Sequence, residues 1–112
     1  MIPGFFSAGD YIRAGAIFAA RIKSKLQAEL KDFVHENYPV LGICNGFQVL
    51  VKMGILPNLE GNWKQEVSLI HNDSGVFEDR WVTARVNNKC QSPWVQGLST
   101  IDLPIRHGEG KF

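Results

Sequence analysis

The residues most able to do chemistry lie in Leu41-Gly42-Ile43-Cys44-Asn45-Gly46-Phe47-Gln48. Cys44 stands in a G-x-C-x-G spacing, after a short apolar run and before a helical pattern. That is the cysteine form of the nucleophile elbow, a sharp strand-to-helix turn that holds a side chain strained and exposed. The residues two before and two after crowd such a turn, and Gly42 and Gly46 bring no Cβ to clash. The thiol then sits at a helix N-terminus, where free N–H groups and the helix dipole favour a thiolate. The backbone N–H of Asn45 points where an oxyanion would form. A cysteine after an apolar strand is otherwise a small buried hydrophobe. The paired glycines and the strand-to-helix context favour the nucleophile.

Other chemistries find little support. Cys44 and Cys90 make no disulfide framework, and free thiols in a reducing cytoplasm are expected. Two Cys and three widely spaced His, His35, His71 and His107, give no zinc pattern. With 12 Lys and Arg against 11 Asp and Glu, the net charge of +1 makes no electrostatic case for nucleic acid or an anionic membrane. Trp63, Trp81 and Trp94 could form a stacking platform, but without a basic stripe they are expected in core or interface packing. No apolar run approaches the roughly 20 residues of a membrane helix, and Met1-Ile2-Pro3-Gly4-Phe5 lacks the features of a signal peptide. A hydrophobic share of 45% and a charged share of 21% over 112 residues argue for a globular chain rather than disorder.

The elements that must position Cys44 read as follows. Met1-Ile2-Pro3-Gly4 is the end of a buried strand running into a turn. Phe5 to Asp10 is a loop, with Ser7 or Asp10 available as a helix cap. From Tyr11 to about Glu36 the pattern is helical, with Ala19, Ile22, Leu26, Leu30 and Phe33 on one face. The stretch Ala14 to Ala20 is small and apolar all round and is expected to be the more buried half. Asn37-Tyr38-Pro39 ends that helix. Pro39 to Ile43 suits a parallel strand buried on both faces. Asn45 to Met53 is helical, with Gly54 as C-cap and Pro57 just beyond. Val67 to His71 reads as a weak strand and Asn72-Asp73-Ser74-Gly75 as a turn. Arg80 to Val86 and Ile101 to His107 alternate as strands, with Asn87 to Ser99 irregular between them and Pro104 suggesting an edge. The order implies an α/β parallel-sheet unit, residues 1–112 being one domain or part of one. Both ends fall inside structural elements, so the chain is expected to be the central portion of a larger domain, truncated at each end.

The Gly42 to Gln48 run resembles the nucleophile motif of class I, triad-type glutamine amidotransferases. Pro3-Gly4-Phe5-Phe6-Ser7-Ala8-Gly9-Asp10-Tyr11-Ile12-Arg13-Ala14-Gly15-Ala16 is similar to the corresponding run of the glutaminase subunit of phosphoribosylformylglycinamidine synthase. Asn72 to Val82 and His107-Gly108-Glu109-Gly110 match the same subunit's pattern, so the resemblance covers essentially the whole chain. It implies a flavodoxin-like, three-layer fold of a parallel sheet with helices. It implies that Cys44 attacks the γ-amide of glutamine and that backbone N–H groups of Asn45 and of the Gly4–Phe5 turn hold the oxyanion. It implies that Gln48 helps hold the substrate; on residue type and spacing alone Gln48 reads equally as a solvated helix residue. The chain itself would need no cofactor. Ammonia would pass to a large synthetase subunit that uses ATP and Mg, with a small accessory subunit as a further partner, in purine (IMP) biosynthesis in the cytoplasm.

Two departures qualify that expectation. Phe5 stands where the resembled run has a second glycine, and Phe tolerates positive φ poorly. Its ring could enter the pocket, and either the turn differs here or the oxyanion donor is compromised. The family's His-Pro-Glu motif is also absent from these 112 residues. His107 and Glu109 have the His-x-Glu spacing, but their run matches a different, earlier motif whose expected role is structural or at an interface. His35 is expected to be solvated and His71 structural. Without the base, these residues by themselves are expected to hydrolyse little glutamine. The competing readings are another cysteine hydrolase with the same elbow, of the dienelactone-hydrolase type, and a non-catalytic scaffold that keeps the elbow alone.

Overall fold

The computed structural model describes residues 1–5 and 15–112. The capping role of Ser7 or Asp10, and the expected helix start at Tyr11, lie outside the described residues. The first helix, α1, spans Ala16–His35. Its end is a Schellman motif: Asn37 turns left-handed at φ 62°, its N–H reaches the Val34 carbonyl at 3.0 Å, and the Tyr38 N–H reaches Phe33 at 3.2 Å. The Tyr38 ring stacks on Phe33 with centroids 4.8 Å apart, the apolar contact that accompanies such a cap. Pro39 then prevents any continuation.

The second helix, α2, spans Asn45–Met53, the range its apolar spacing predicts. Gly54 adopts φ 75° there and donates to Val51 at 3.0 Å. Ile55 donates back to Leu50 at 3.0 Å, so this helix too closes with a Schellman cap. Ala19 and Ile22 of α1 pack with Val49, Leu50 and Met53 of α2 and with Ile55, forming the buried cluster. Ile2, Phe18, Leu30, Val40 and Trp63 flank it. The apolar face of α1 is narrower than its spacing suggests, since Leu26 and Phe33 remain exposed and so does Ala20.

The remaining elements are strands: β1 Ile70–His71, β2 Glu78–Arg85, β3 Thr100–His107 and β4 Glu109–Lys111. Antiparallel β2 and β3 pair from Glu78 opposite His107 to Arg85 opposite Thr100. Pro104 faces Trp81 in this two-stranded ladder, where each strand is an edge and a missing N–H costs no partner. Val82, Ala84, Ile101 and Ile105 lie on the half-buried face. Trp81, expected in a core or interface, lies on the opposite face and is 72% exposed. Trp63 does pack on the core, with the Lys31 ammonium 5.6 Å from its ring centroid. β1 is shorter than the apolar run from Val67 predicts, and it pairs antiparallel with β4, which the alternation does not reveal.

Helices and strands of an α/β chain are present, but every strand pairing among the described residues is antiparallel. The expected parallel sheet is represented by one bridge, Ile2 to Gly42. Ile2 donates to the Leu41 carbonyl at 2.8 Å and Ile43 donates to the Ile2 carbonyl at 3.1 Å. Beyond the bridge both backbones swing to positive φ, at Phe5 and at Cys44, and the ladder ends. The run Pro39 to Ile43 is therefore not buried on both faces: it pairs with one neighbour among the described residues, and Ile43 is exposed.

Candidate active site

The bridge delivers Cys44 to the start of α2. Its backbone takes φ 55° and ψ −118°, outside the regions an L-residue favours, so the elbow is strained as the two glycines predict. A Cβ on Gly42 would fall 2.6 Å from Leu50 Cδ1 and 2.8 Å from the Gly46 carbonyl oxygen. A Cβ on Gly46 would fall 2.1 Å from the Ile2 carbonyl oxygen. Gly46 thus admits the neighbouring bridge strand, an approach that local crowding of the turn alone does not predict. Cys44 is exposed, which disposes of the small-buried-hydrophobe alternative. Both thiols are free.

The first turn of α2 leaves one amide open. Gly46 N–H bonds the Ile43 carbonyl, and the N–H groups of Phe47 and Gln48 both reach the Cys44 carbonyl. The Asn45 N–H finds no acceptor among the described residues. Neither does the Phe5 N–H. Gly4 lies against the nucleophile: a Cβ built there would be 3.0 Å from Cys44 Cβ and 3.6 Å from Sγ. Phe5 adopts φ 78°, so the left-handed turn forms despite its Cβ. The ring stands 83% exposed rather than buried in a pocket. The turn and the elbow are tied together by Asn45 Nδ2, which donates to the Phe5 carbonyl at 3.0 Å.

Gln48 follows one turn along α2 and is buried, not solvated. Its Nε2 donates to the Glu109 carbonyl at 3.0 Å, and its Oε1 has no partner among the described residues. Gln48, Val51, Lys52, Leu69 and Glu109 line a small cleft between α2 and β4. Phe47 meets Phe112 edge to face, with centroids 5.7 Å apart.

None of the three histidines contacts the Cys44 thiol by a hydrogen bond among the described residues. His35 ends α1. His71 lies 3.7 Å from the Glu109 carboxylate. His107 Nδ1 contacts Asn72 Oδ1 at 3.0 Å, while Asn72 Nδ2 donates to the His107 carbonyl at 2.8 Å. Gly110 covers the ring closely enough that a Cβ there would sit 2.2 Å from His107 Cε1. His107 lines a polar cavity of about 240 Å³ with Asn72, Ser74, Glu78 and Arg80, without Cys44. The neighbouring Ser74 hydroxyl, with Arg80 donating at 3.3 Å and His107 close by, holds the Glu78 carboxyl below its ordinary value, against a desolvation that raises it. His107 and Glu109 therefore do not assemble with Cys44; each belongs to the network that joins the Asn72 turn to β4.

Sequence reasoning missed the side chain of Asn45, the Ile2 carbonyl beside Gly46 and the Glu109 carbonyl that receives Gln48. Each is a long-range contact to backbone, for which residue type and spacing carry no signal.

The family model of the CobB/CobQ-like glutamine amidotransferase domain matches residues 1–112. A phosphoribosylformylglycinamidine synthase subunit PurQ from Archaeoglobus fulgidus is 47% identical over 118 residues, covering 99% of this chain and 43% of that protein. PurQ proteins from Dehalococcoides mccartyi and Treponema denticola are 42% and 41% identical, covering 98% and 100% of this chain. The chain spans less than half the length of these relatives, 43% and 45% respectively for the latter two. No solved structure matches it. The elbow at Cys44 and the match over the whole chain place it in one family: the chain belongs to the CobB/CobQ-like glutamine amidotransferase domains.

Proposed function

We propose that this chain carries the nucleophile of a glutaminase that supplies ammonia to phosphoribosylformylglycinamidine synthase. The reading is supported by the names of its relatives. The observation that carries it is the exposed Cys44 held at φ 55° at the head of α2, with the Gly4–Phe5 turn against its sulfur.

In this reaction the Cys44 thiolate attacks the γ-carbonyl carbon of glutamine and a C–S bond forms. The carbonyl electrons move to oxygen, and the N–H groups of Asn45 and Phe5 receive the oxyanion. Collapse breaks the C–N bond, the nitrogen takes a proton and leaves as ammonia, and a γ-glutamyl thioester remains. Water then cleaves the thioester to glutamate and regenerates the thiol. Gln48 contributes to holding glutamine. The general base belongs to a group other than His35, His71 or His107. We infer that the Ile2–Gly42 bridge is the local part of a three-layer parallel sheet, and that the chain needs no cofactor. ATP and Mg serve the synthetase partner, with a small accessory subunit completing a cytoplasmic complex.

The test is ammonia release from glutamine by the assembled amidotransferase, with Cys44→Ala as control. Release that Cys44→Ala abolishes supports the reading. Ester hydrolysis without glutamine hydrolysis would replace it with the dienelactone-hydrolase type. Release that survives Cys44→Ala would end it.

A further inference from the structure

We propose that the side chain of Asn45 is a positioning residue, which locks the Phe5 turn onto the elbow so that two backbone donors face one oxyanion. The inference rests on the glutaminase reading and deepens it. Asn45 is the most buried polar residue of the site, 2% exposed. Its Nδ2 crosses from α2 to the Phe5 carbonyl at 3.0 Å. Its Oδ1 points the other way, toward the head of α1, where a Cβ on Gly15 would come within 3.1 Å. One amide thus spans the nucleophile, the second oxyanion donor and the entry to α1.

The turn needs such a tie. A phenylalanine at φ 78° gains nothing from its own conformation, and its exposed ring packs on little. The parallel bridge ends at Ile2, short of the turn. The Asn45 hydrogen bond holds the Phe5 carbonyl, and with it the turn from which the residue's own N–H projects. The same residue supplies the other open donor from its backbone, so one anchor sets the geometry of both. Preorganised donors stabilise charge without reorganising as it develops.

The discriminating experiment compares two reactions of one sulfur in the assembled amidotransferase. Thioester formation builds an oxyanion, whereas displacement of iodide from iodoacetamide does not. Asn45→Leu keeps the size and removes the donor without adding a charge; Asn45→Ala removes both. Each is expected to lower the glutaminase kcat about 10- to 100-fold, less than or comparable to the loss of one oxyanion donor outright. KM for glutamine and the rate of Cys44 alkylation are expected to stay near wild type. An unchanged kcat in Asn45→Leu overturns the proposal. Parallel loss of kcat and alkylation also overturns it, because Asn45 then holds the elbow itself rather than the donor geometry. Ammonia release that does not depend on Cys44 defeats the glutaminase reading, and this proposal with it.

Discussion

Gln48 Nε2 donates to the Glu109 carbonyl at 3.0 Å, joining α2 to β4 across 61 residues of sequence. Few contacts tie the elbow helix to the strands, and this one is part-buried. Removing the donor leaves the Glu109 carbonyl without its protein partner, so Gln48→Leu is expected to destabilise the chain by about 1–3 kcal/mol. Urea denaturation followed by tryptophan fluorescence measures it. An unchanged midpoint would show that water replaces the bond at no cost.

Gly46 faces the Ile2 carbonyl so closely that a Cβ would fall 2.1 Å from its oxygen. The obstacle is backbone, which cannot rotate away, and the bridge strand would have to withdraw. Gly46→Ala is expected to cost about 1–3 kcal/mol or more, as overpacking does, and to disrupt the turn at Gly4. Gly42→Ala meets the far end of the Leu50 side chain, at 2.6 Å, as well as the Gly46 carbonyl at 2.8 Å. It is therefore expected to be the milder of the two. Thermal melts of both variants rank them, and the reverse order would contradict the geometry.

How much of this was legible in the sequence differs by element. The range of α2 follows from its apolar spacing and from Gly54, because a short helix against a core must repeat every three to four residues. The elbow follows from its two glycines, although only Gly42 answers crowding within the turn, while Gly46 makes room for the Ile2 carbonyl. The strands β2 and β3 follow from alternation at Arg80 to Val86 and Ile101 to His107, which a half-buried strand requires, but their antiparallel pairing does not. The pairing of β1 with β4 does not follow, since two- and three-residue strands carry too few side chains to show a period. Pro39 to Ile43 looks like a doubly covered strand because apolar residues record what a segment can bury, not how many neighbours it finds. The tie from Asn45 to Phe5 was invisible for a different reason: an asparagine that caps, turns or bridges is the same letter.

Phe5 is the position where composition and conformation disagree. It holds φ 78° while its ring contributes little burial. A left-handed backbone costs an L-residue about 1–2 kcal/mol, and glycine recovers that at the expense of about 0.5–1 kcal/mol of unfolded-state freedom. Phe5→Gly is therefore expected to be neutral to mildly stabilising, and to leave glutaminase turnover intact because the donor is backbone. A marked loss of stability in a denaturant titration would show that the ring packs on a surface in the assembled enzyme.

Cys44 and Cys90 are both exposed, so access alone does not separate their reactivity. Their backbones do. Cys44 heads α2, at the electropositive end of that helix. Cys90 closes a turn, its N–H bonded to the Asn87 carbonyl at 2.9 Å, with no helix behind it. Near neutral pH, iodoacetamide is expected to alkylate Cys44 several-fold faster than Cys90, a ratio that peptide mass spectrometry reads directly from one time course. Salt should narrow the gap, because the helix-end field at an exposed thiol is screened. Equal rates at low ionic strength would mean that the helix end gives Cys44 no advantage, and the activation of the nucleophile would then have to come wholly from a neighbouring base.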